Sequence, residues 1–407
     1  MSKAAANTPL IQQYLDIKAR HADSILFFRV GDFYEMFFDD AEEGSRLLGI
    51  TLTSRNNGSS DVPLAGVPAK AIDEYLPRLV RLGRRVAICE QVEDPAEADG
   101  IVRREVTEVV TPGAVLEDTL LTSDRNNFVA AIAGDDPVGV ATADLSTGEI
   151  DVRECSTAGL ADELARIEPA ELVRPVGFHA PGNEPWVVTE RESWRFEPDV
   201  AAETIKRLYG VRDVAGFGMS ADETPHLLGA VGAVLAYLEE VRPGGIRHLK
   251  TPRVERSGRH LHLDEMTLRN LEVVESLRDT EQATLLAVLD RTLTPMGRRM
   301  LRRRLLSPLV DLAEIDARLD AVDELSADAS VRRGIREALK RIQDLERLAA
   351  KISAGRAGPR ELLGLSRSLQ ALPEIRASAG TPESSRLRSL VQDLDTLEDV
   401  SQEIAEA

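Results

Sequence analysis

The hydrophobic pattern of this chain changes once, near His260, and that change excludes a fold built around one uniform core. Before it, short runs rich in Ile, Val and Phe alternate with helically spaced segments. Beyond it, strand signals fade and Leu, Ile and Val recur at heptad-like intervals. At 407 residues the chain also exceeds what one ordinary core organises, so roughly two to four domains of about 100–150 residues each are expected. The fold class is multidomain: α/β at the N-terminal side, all-α at the C-terminal side.

Within residues 24–111 the strand signals fall at 25–30, 33–37, 86–92 and 106–110. A helix is expected over 69–82, with Ile72, Leu76, Leu79 and Val80 on one side and Gly83 as its stop; Pro77 implies a kink or a late start. Thr111-Pro112-Gly113 closes this unit and the polar run Ser123-Asp124-Arg125-Asn126-Asn127 opens the next. An antiparallel meander follows at 128–133, 138–145 and 149–153, turning at Ser146-Thr147-Gly148, and helices follow at 158–166, 199–209 and 224–240. In the helical region Thr294 is placed as an N-cap with Pro295 in the first turn, and Ser307-Pro308 marks that helix's end. The domains expected are 1–115, a linker at 116–127, 128–250 and 258–407; the helical pattern running into Glu406-Ala407 reads as a cut.

Charge at first argues against a nucleic-acid partner, because 50 basic residues face 69 acidic ones for a net −19. The basic residues comprise 7 Lys and 43 Arg, and aromatics are 4%. Such an acidic, Lys-poor composition suits high internal salt, and a GC-rich genome would also favour Arg. At molar salt charges are screened within about 3 Å, so the negative total does not exclude DNA. No run of about 18 apolar residues is present and the N-terminus lacks the apolar core of a signal peptide, so the expected location is cytoplasmic, with no membrane partner. Cys89 and Cys155 lie far apart in strand-like runs and read as buried free thiols. His260 and His262 have no further ligand nearby, so no metal or other cofactor is expected in this chain.

Gly31-Asp32 between two apolar runs suits a two-residue hairpin turn, so that Phe33 opens the returning strand. Residues two apart on a strand share a face: Phe33 and Glu35 project together, Tyr34 and Met36 oppositely. Spacing alone favours the plainer reading, Phe33 in the core and Glu35 solvated.

The string Gly31-Asp32-Phe33-Tyr34-Glu35-Met36-Phe37 resembles the Phe-x-Glu mismatch-binding signature of the MutS DNA mismatch repair family. Pro63-Leu64-Ala65-Gly66-Val67-Pro68, the run from Val86 to Pro95, and Val110-Thr111-Pro112-Gly113 resemble further blocks of that family's first domain. The run Leu285 to Gly297, Asp344-Leu345-Glu346-Arg347-Leu348, and the run Gly355 to Leu362 are similar to its helical core. The resemblance implies a mismatch-recognition domain, a ribonuclease-H-like connector and part of a helical core with levers. It implies double-stranded DNA with mismatches or small loops as partner, with Phe33 as a wedge, Glu35 as a hydrogen-bonding probe, Arg55, in the flexible loop Thr53-Ser54-Arg55-Asn56-Asn57-Gly58, on phosphate and Leu64 near the wedge. It further implies a homodimer, a MutL-like partner, and ATP with Mg²⁺ in a C-terminal ATPase. No Gly-Lys pair and hence no P-loop occurs here, so this chain is not expected to turn over ATP. Two departures stand out: Ala69-Lys70 follows Gly-Val-Pro where the family often has Tyr-His, and Glu108 stands where a basic residue is expected in some members.

Three other readings compete. Arg291, Arg298, Arg299, Arg302, Arg303 and Arg304 form an acid-free run that suits either a DNA patch or a salt-bridged helix face, the latter favoured. Asp144, in Ala143-Asp144-Leu145-Ser146-Thr147-Gly148-Glu149-Ile150-Asp151, places carboxylates on a hairpin as two-metal nucleases do. The chain also reads as a protein-interaction module with no DNA binding of its own.

Overall fold

The computed structural model describes residues 8–56, 61–93, 100–179, 186–255, 258–277 and 283–406. Asn57, Gly58, Asp94, Pro95 and Ala407, which belong to segments named above, lie outside the described residues.

The first unit is a six-stranded sheet in the order β3-β4-β2-β1-β5-β6. Its strands are β1 (Ile25–Val30), β2 (Phe33–Phe37), β3 (Thr53–Asn56), β4 (Asp61–Pro68), β5 (Val86–Gln91) and β6 (Arg104–Val110). Gly31 takes φ +58° and Val30 pairs with Phe33, so the β1–β2 hairpin has the two-residue turn expected. Helix α1 (Pro9–Lys18) covers one face of the sheet, packing Ile11, Tyr14 and Ile17 against Leu26, Phe28 and Phe37. Helices α2 (Asp39–Leu48) and α3 (Ile72–Arg81) cover the other, over Phe27, Tyr34, Met36, Val67 and Ile88. Buried Asp40 fastens the α1 side: it accepts from Tyr14 Oη at 2.6 Å, Lys18 Nζ at 2.8 Å and the Leu26 amide at 3.0 Å.

Several local expectations change. Residues 53–56, read as a flexible loop, are the edge strand β3, and β4 beside it was not expected. With two prolines and a glycine in eight residues, β4 has poor strand propensity; its pairing with both β2 and β3 overrides that. The helix expected over 69–82 begins as a 3-10 turn at Ala69–Ala71 and continues as α3 with Pro77 inside it. Cys89 is buried but Cys155 only half-buried, and both are free.

The second unit holds β7 (Phe128–Ala133), β8 (Val138–Asp144), β9 (Glu149–Cys155), β10 (Glu171–Pro175), β11 (Val187–Arg191) and β12 (Arg253–Val254), ordered β11-β10-β7-β8-β9-β12. The β7–β8–β9 meander is antiparallel, whereas β10 joins β7, β11 joins β10 and β12 joins β9 in parallel. One face carries α4 (Leu160–Ile167) and the other α6 (Pro225–Val241), itself backed by α5 (Pro198–Tyr209). Gly139 of β8 lets α6 approach closely, since a Cβ there would stand 2.2 Å from the His226 carbonyl oxygen.

The third unit is helical: α7 (Glu265–Asn270), α8 (Leu285–Leu289), α9 (Pro295–Leu306), α10 (Leu312–Ala327), α11 (Ala329–Leu339), α12 (Leu345–Ser353), α13 (Pro359–Leu369), α14 (Leu372–Ala379), α15 (Ser385–Gln392) and α16 (Glu398–Glu406). Thr294 caps α9 by accepting the Gly297 amide at 3.1 Å, with Pro295 at the first position and Ser307 at the end, as the sequence signals predict. No helix among the described residues is long and apolar enough to cross a membrane.

Ion pairs join the three units. Glu108 on β6 pairs with Arg242 of the second unit at 2.8 Å and with Arg356 of the third at 2.6 Å. The departure noted at this position is therefore an acid held between two arginines. Buried Glu171 on β10 accepts from Thr189 Oγ1 at 2.6 Å, the Gly113 amide at 3.2 Å and Tyr237 Oη, with Arg85 of the first unit 3.7 Å away.

Candidate nucleic-acid interface

The face of the first sheet that α1 packs on is only partly covered. Alternation places Phe33, Glu35 and Phe37 on that face, with Pro68, Gly66 and Leu64 opposite them on β4. α1 buries the Phe37 end and leaves the hairpin end open. Phe33 is consequently 47% exposed, whereas its neighbours Tyr34 and Met36 are buried on the opposite face at 4% and 0%. The plainer reading, Phe33 in the core, is thus wrong. Gly66 contributes no side chain beside the Phe33 ring and the Glu35 stem; a Cβ there would lie 3.8 Å from each.

Glu35 is half-buried and ion-paired. Arg55 Nη1 donates to its Oε2 at 2.8 Å, the two side chains being 40% and 18% exposed respectively. Both residues lie on the same face, two strands apart, which sequence spacing could not show. Burial pushes the Glu35 carboxyl above its ordinary value, outweighing the opposing pull of Arg55 and Arg104. Arg104, absent from the sequence reading, sits with its guanidinium 5.0 Å from the Phe28 ring centroid, and Phe28 is the β1 residue registered opposite Glu35. Its Nη1 donates to the Gln13 side chain at 3.0 Å and the Val102 carbonyl at 2.8 Å. No local motif marks Arg104; only the β1–β5–β6 register carries it there.

Leu64 stands apart from the wedge. It registers opposite Phe37, four residues along β4 from the Pro68 that faces Phe33, or about 13 Å at strand rise. There it packs at the margin of the core beneath α1. Ala69 donates its amide to the Asp32 carbonyl at 2.8 Å, so this departure supports the hairpin turn through its backbone.

The arginine run on α9 is chiefly internal wiring. Arg298 pairs with Asp290 at 2.8 Å, Arg299 with Asp344 at 2.6 Å and Glu346 at 2.7 Å, Arg302 with Glu168 at 2.7 Å, and Arg303 with Glu149 at 3.2 Å. Arg299 and Arg302 are buried. The salt-bridged reading therefore holds for these four.

Asp144 gives no support to a nuclease. It is fully buried, and its oxygens accept from Asn126 Nδ2 at 2.8 Å, the Asn127 amide at 3.1 Å, the Ser146 amide at 2.8 Å and Ser146 Oγ at 2.7 Å. Those four donors occupy the lone pairs a metal would need, and Asp151 is paired with Arg253 at 2.9 Å. Among the described residues no cluster of three or more His, Cys, Asp or Glu side chains is placed to hold a metal ion.

Two mixed sheets in series, then a helical array, with an aromatic ring and a carboxylate on the open end of the first sheet, define a multidomain protein whose leading α/β domain leaves one end of a sheet face open. Residues 8–119 match MutS domain I, residues 127–250 MutS domain II and residues 266–407 MutS domain III. The chain is similar to the DNA mismatch repair protein MutS of Myxococcus xanthus (44% identical; 99% of this chain, 46% of the relative). It is also similar to those of Salinibacter ruber (42%; 95% and 44%) and Symbiobacterium thermophilum (42%; 97% and 47%). The chain belongs to the MutS family and spans about half the length of the curated relatives it matches.

Proposed function

We propose that domain I detects mispaired bases and small loops in duplex DNA, with Phe33 inserting between base steps from the minor groove and Glu35 hydrogen-bonding the displaced base. The observation that carries the reading is a large aromatic side chain left 47% exposed beside a partly desolvated carboxylate, in a chain of the MutS family. Wedging an apolar side chain into a base step unstacks it and kinks the duplex, at a cost of roughly a few kcal/mol. A mismatch has already lost part of its pairing and stacking, so it kinks more cheaply, and selectivity arises from deformability. The full-length protein, on this reading, is a homodimer that couples detection to an ATPase using ATP and Mg²⁺ and signals to a MutL-like partner.

Glu35 contributes through its proton. In the free protein its negative charge is balanced by Arg55; on DNA, Arg55 turns to a phosphate and Glu35, already raised by burial, takes up a proton and donates to a base nitrogen. The ionised form penalises tight binding to ordinary duplex. The test is equilibrium binding of the 407-residue chain to mismatched and matched duplexes of one sequence, across salt and pH. A mismatch preference that persists as salt rises is expected, because phosphate contacts weaken steeply with salt and stacking does not; equal affinities at every salt would overturn the reading. The sign of the pH effect follows from a raised carboxyl: mismatch affinity should grow as pH falls toward the Glu35 titration and decline above it. Glu35→Gln should bind mismatches with little pH dependence, and a large loss of mismatch binding by this permanently neutral variant would count against protonation.

A further inference from the structure

A cavity of about 670 Å³ opens between domains II and III. Eleven arginines and four carboxylates line it, in a chain whose net charge is −19. Each of the four carboxylates already pairs with another lining arginine. Arg304 on α9, Arg318 on α10 and Arg386 on α15 converge on the cavity and make no ion pair or hydrogen bond among the described residues. Arg304 and Arg386 are exposed and Arg318 half-buried; partial desolvation, then Arg318, Arg386 and Arg303, hold the Arg304 guanidinium below its ordinary value, with no acid opposing them. Met300, Leu306 and Leu309 add apolar surface to the lining of the same cavity.

We infer that the corner of the cavity lined by these three arginines binds a small, multiply charged phosphate ester. Three guanidinium groups without carboxylate partners, brought together from three helices, supply the forked donors that phosphate oxygens accept bidentately. The volume decides the class of ligand. Pockets for small molecules occupy about 300–1,000 Å³, so the cavity as a whole, which continues from this corner, exceeds a single phosphate and has room for a nucleotide, with the apolar lining offering a surface to a base. A bound polyphosphate neutralises the like charges that α9, α10 and α15 bring to this corner. The inference is independent of Phe33, Glu35 and mismatch binding.

The test is calorimetric titration of the full 407-residue chain, without divalent metal and at low salt, with inorganic tripolyphosphate and separately with a nucleoside triphosphate. Expected is one-to-one binding of tripolyphosphate that weakens as salt rises, falls at least about tenfold in the triple variant Arg304→Gln/Arg318→Gln/Arg386→Gln, and is unchanged in Arg212→Gln, an exposed arginine elsewhere. Nucleoside triphosphate binding about tenfold tighter assigns the apolar lining to a base, and equal affinity assigns the phosphate chain alone; either supports the site. Removing like charges should leave the triple variant melting at or above the parent. If it melts lower, the exposed Arg386→Gln change alone is titrated and should still weaken binding. Absence of tripolyphosphate binding, or equal binding by parent and Arg-to-Gln variants, would overturn the inference.

Discussion

Replacing Phe33 by alanine is expected to erase most of the preference for mismatched over matched duplex while leaving the fold intact. The ring is 47% exposed and belongs to none of the core clusters, so its truncation should move stability by no more than about 0.5 kcal/mol. Aromatic–base stacking, in contrast, is worth about 1–3 kcal/mol per base when removed by alanine. That range corresponds to roughly a five- to 150-fold loss of affinity, falling on the kinked mismatch complex and sparing phosphate contacts. Melting curves together with paired titrations of mismatched and matched DNA separate the two effects. A variant with parental stability and parental mismatch preference would show that Phe33 is not the wedge.

Replacing Glu171 by alanine should have the opposite profile, a large loss of stability far from the open sheet face. Its carboxylate is fully buried and serves Thr189, the Gly113 amide and Tyr237, with Arg85 of domain I alongside. Removing it leaves a buried hydroxyl, a buried phenol and a largely buried guanidinium with an acceptor missing, and unpairing a buried charge costs about 3–5 kcal/mol. Arg85 retains Asp23 at 3.4 Å, which limits the effect on the domain I side. Glu171→Gln keeps an acceptor for Thr189 and Tyr237 and should lose distinctly less. Urea unfolding followed by tryptophan fluorescence and by circular dichroism measures both variants; a Glu171→Ala loss under about 1 kcal/mol would mean that the network does not hold domains I and II together.

Much of the architecture was legible in local patterns. The Gly31-Asp32 turn, the β7–β8–β9 meander and the Thr294-Pro295 helix start each follow from residues adjacent in sequence, because turns, alternation and caps are short-range physics. β3 and β4 were not legible, since Pro63, Gly66 and Pro68 argue locally against a strand that long-range pairing with β2 then imposes. At the candidate site, the spacing of two put Phe33 and Glu35 on one face, and the resemblance of their motif singled them out. Arg104 was missed, and Arg55 was read as a loop cation when it is a strand residue ion-paired with Glu35.

The sequence alone determined that Phe33 and Glu35 share one face of a strand, because side-chain alternation is a property of every extended backbone. Whether that face is core or surface was left to the tertiary structure. α1 reaches only as far as the Phe37 end, so the same face is buried at one end of β2 and open at the other. The environment of Glu35 was decided in the same way. Burial beside Phe28, pairing with Arg55 and the proximity of Arg104 come from strands β1, β3 and β6, whose positions depend on contacts between distant segments that no local pattern encodes.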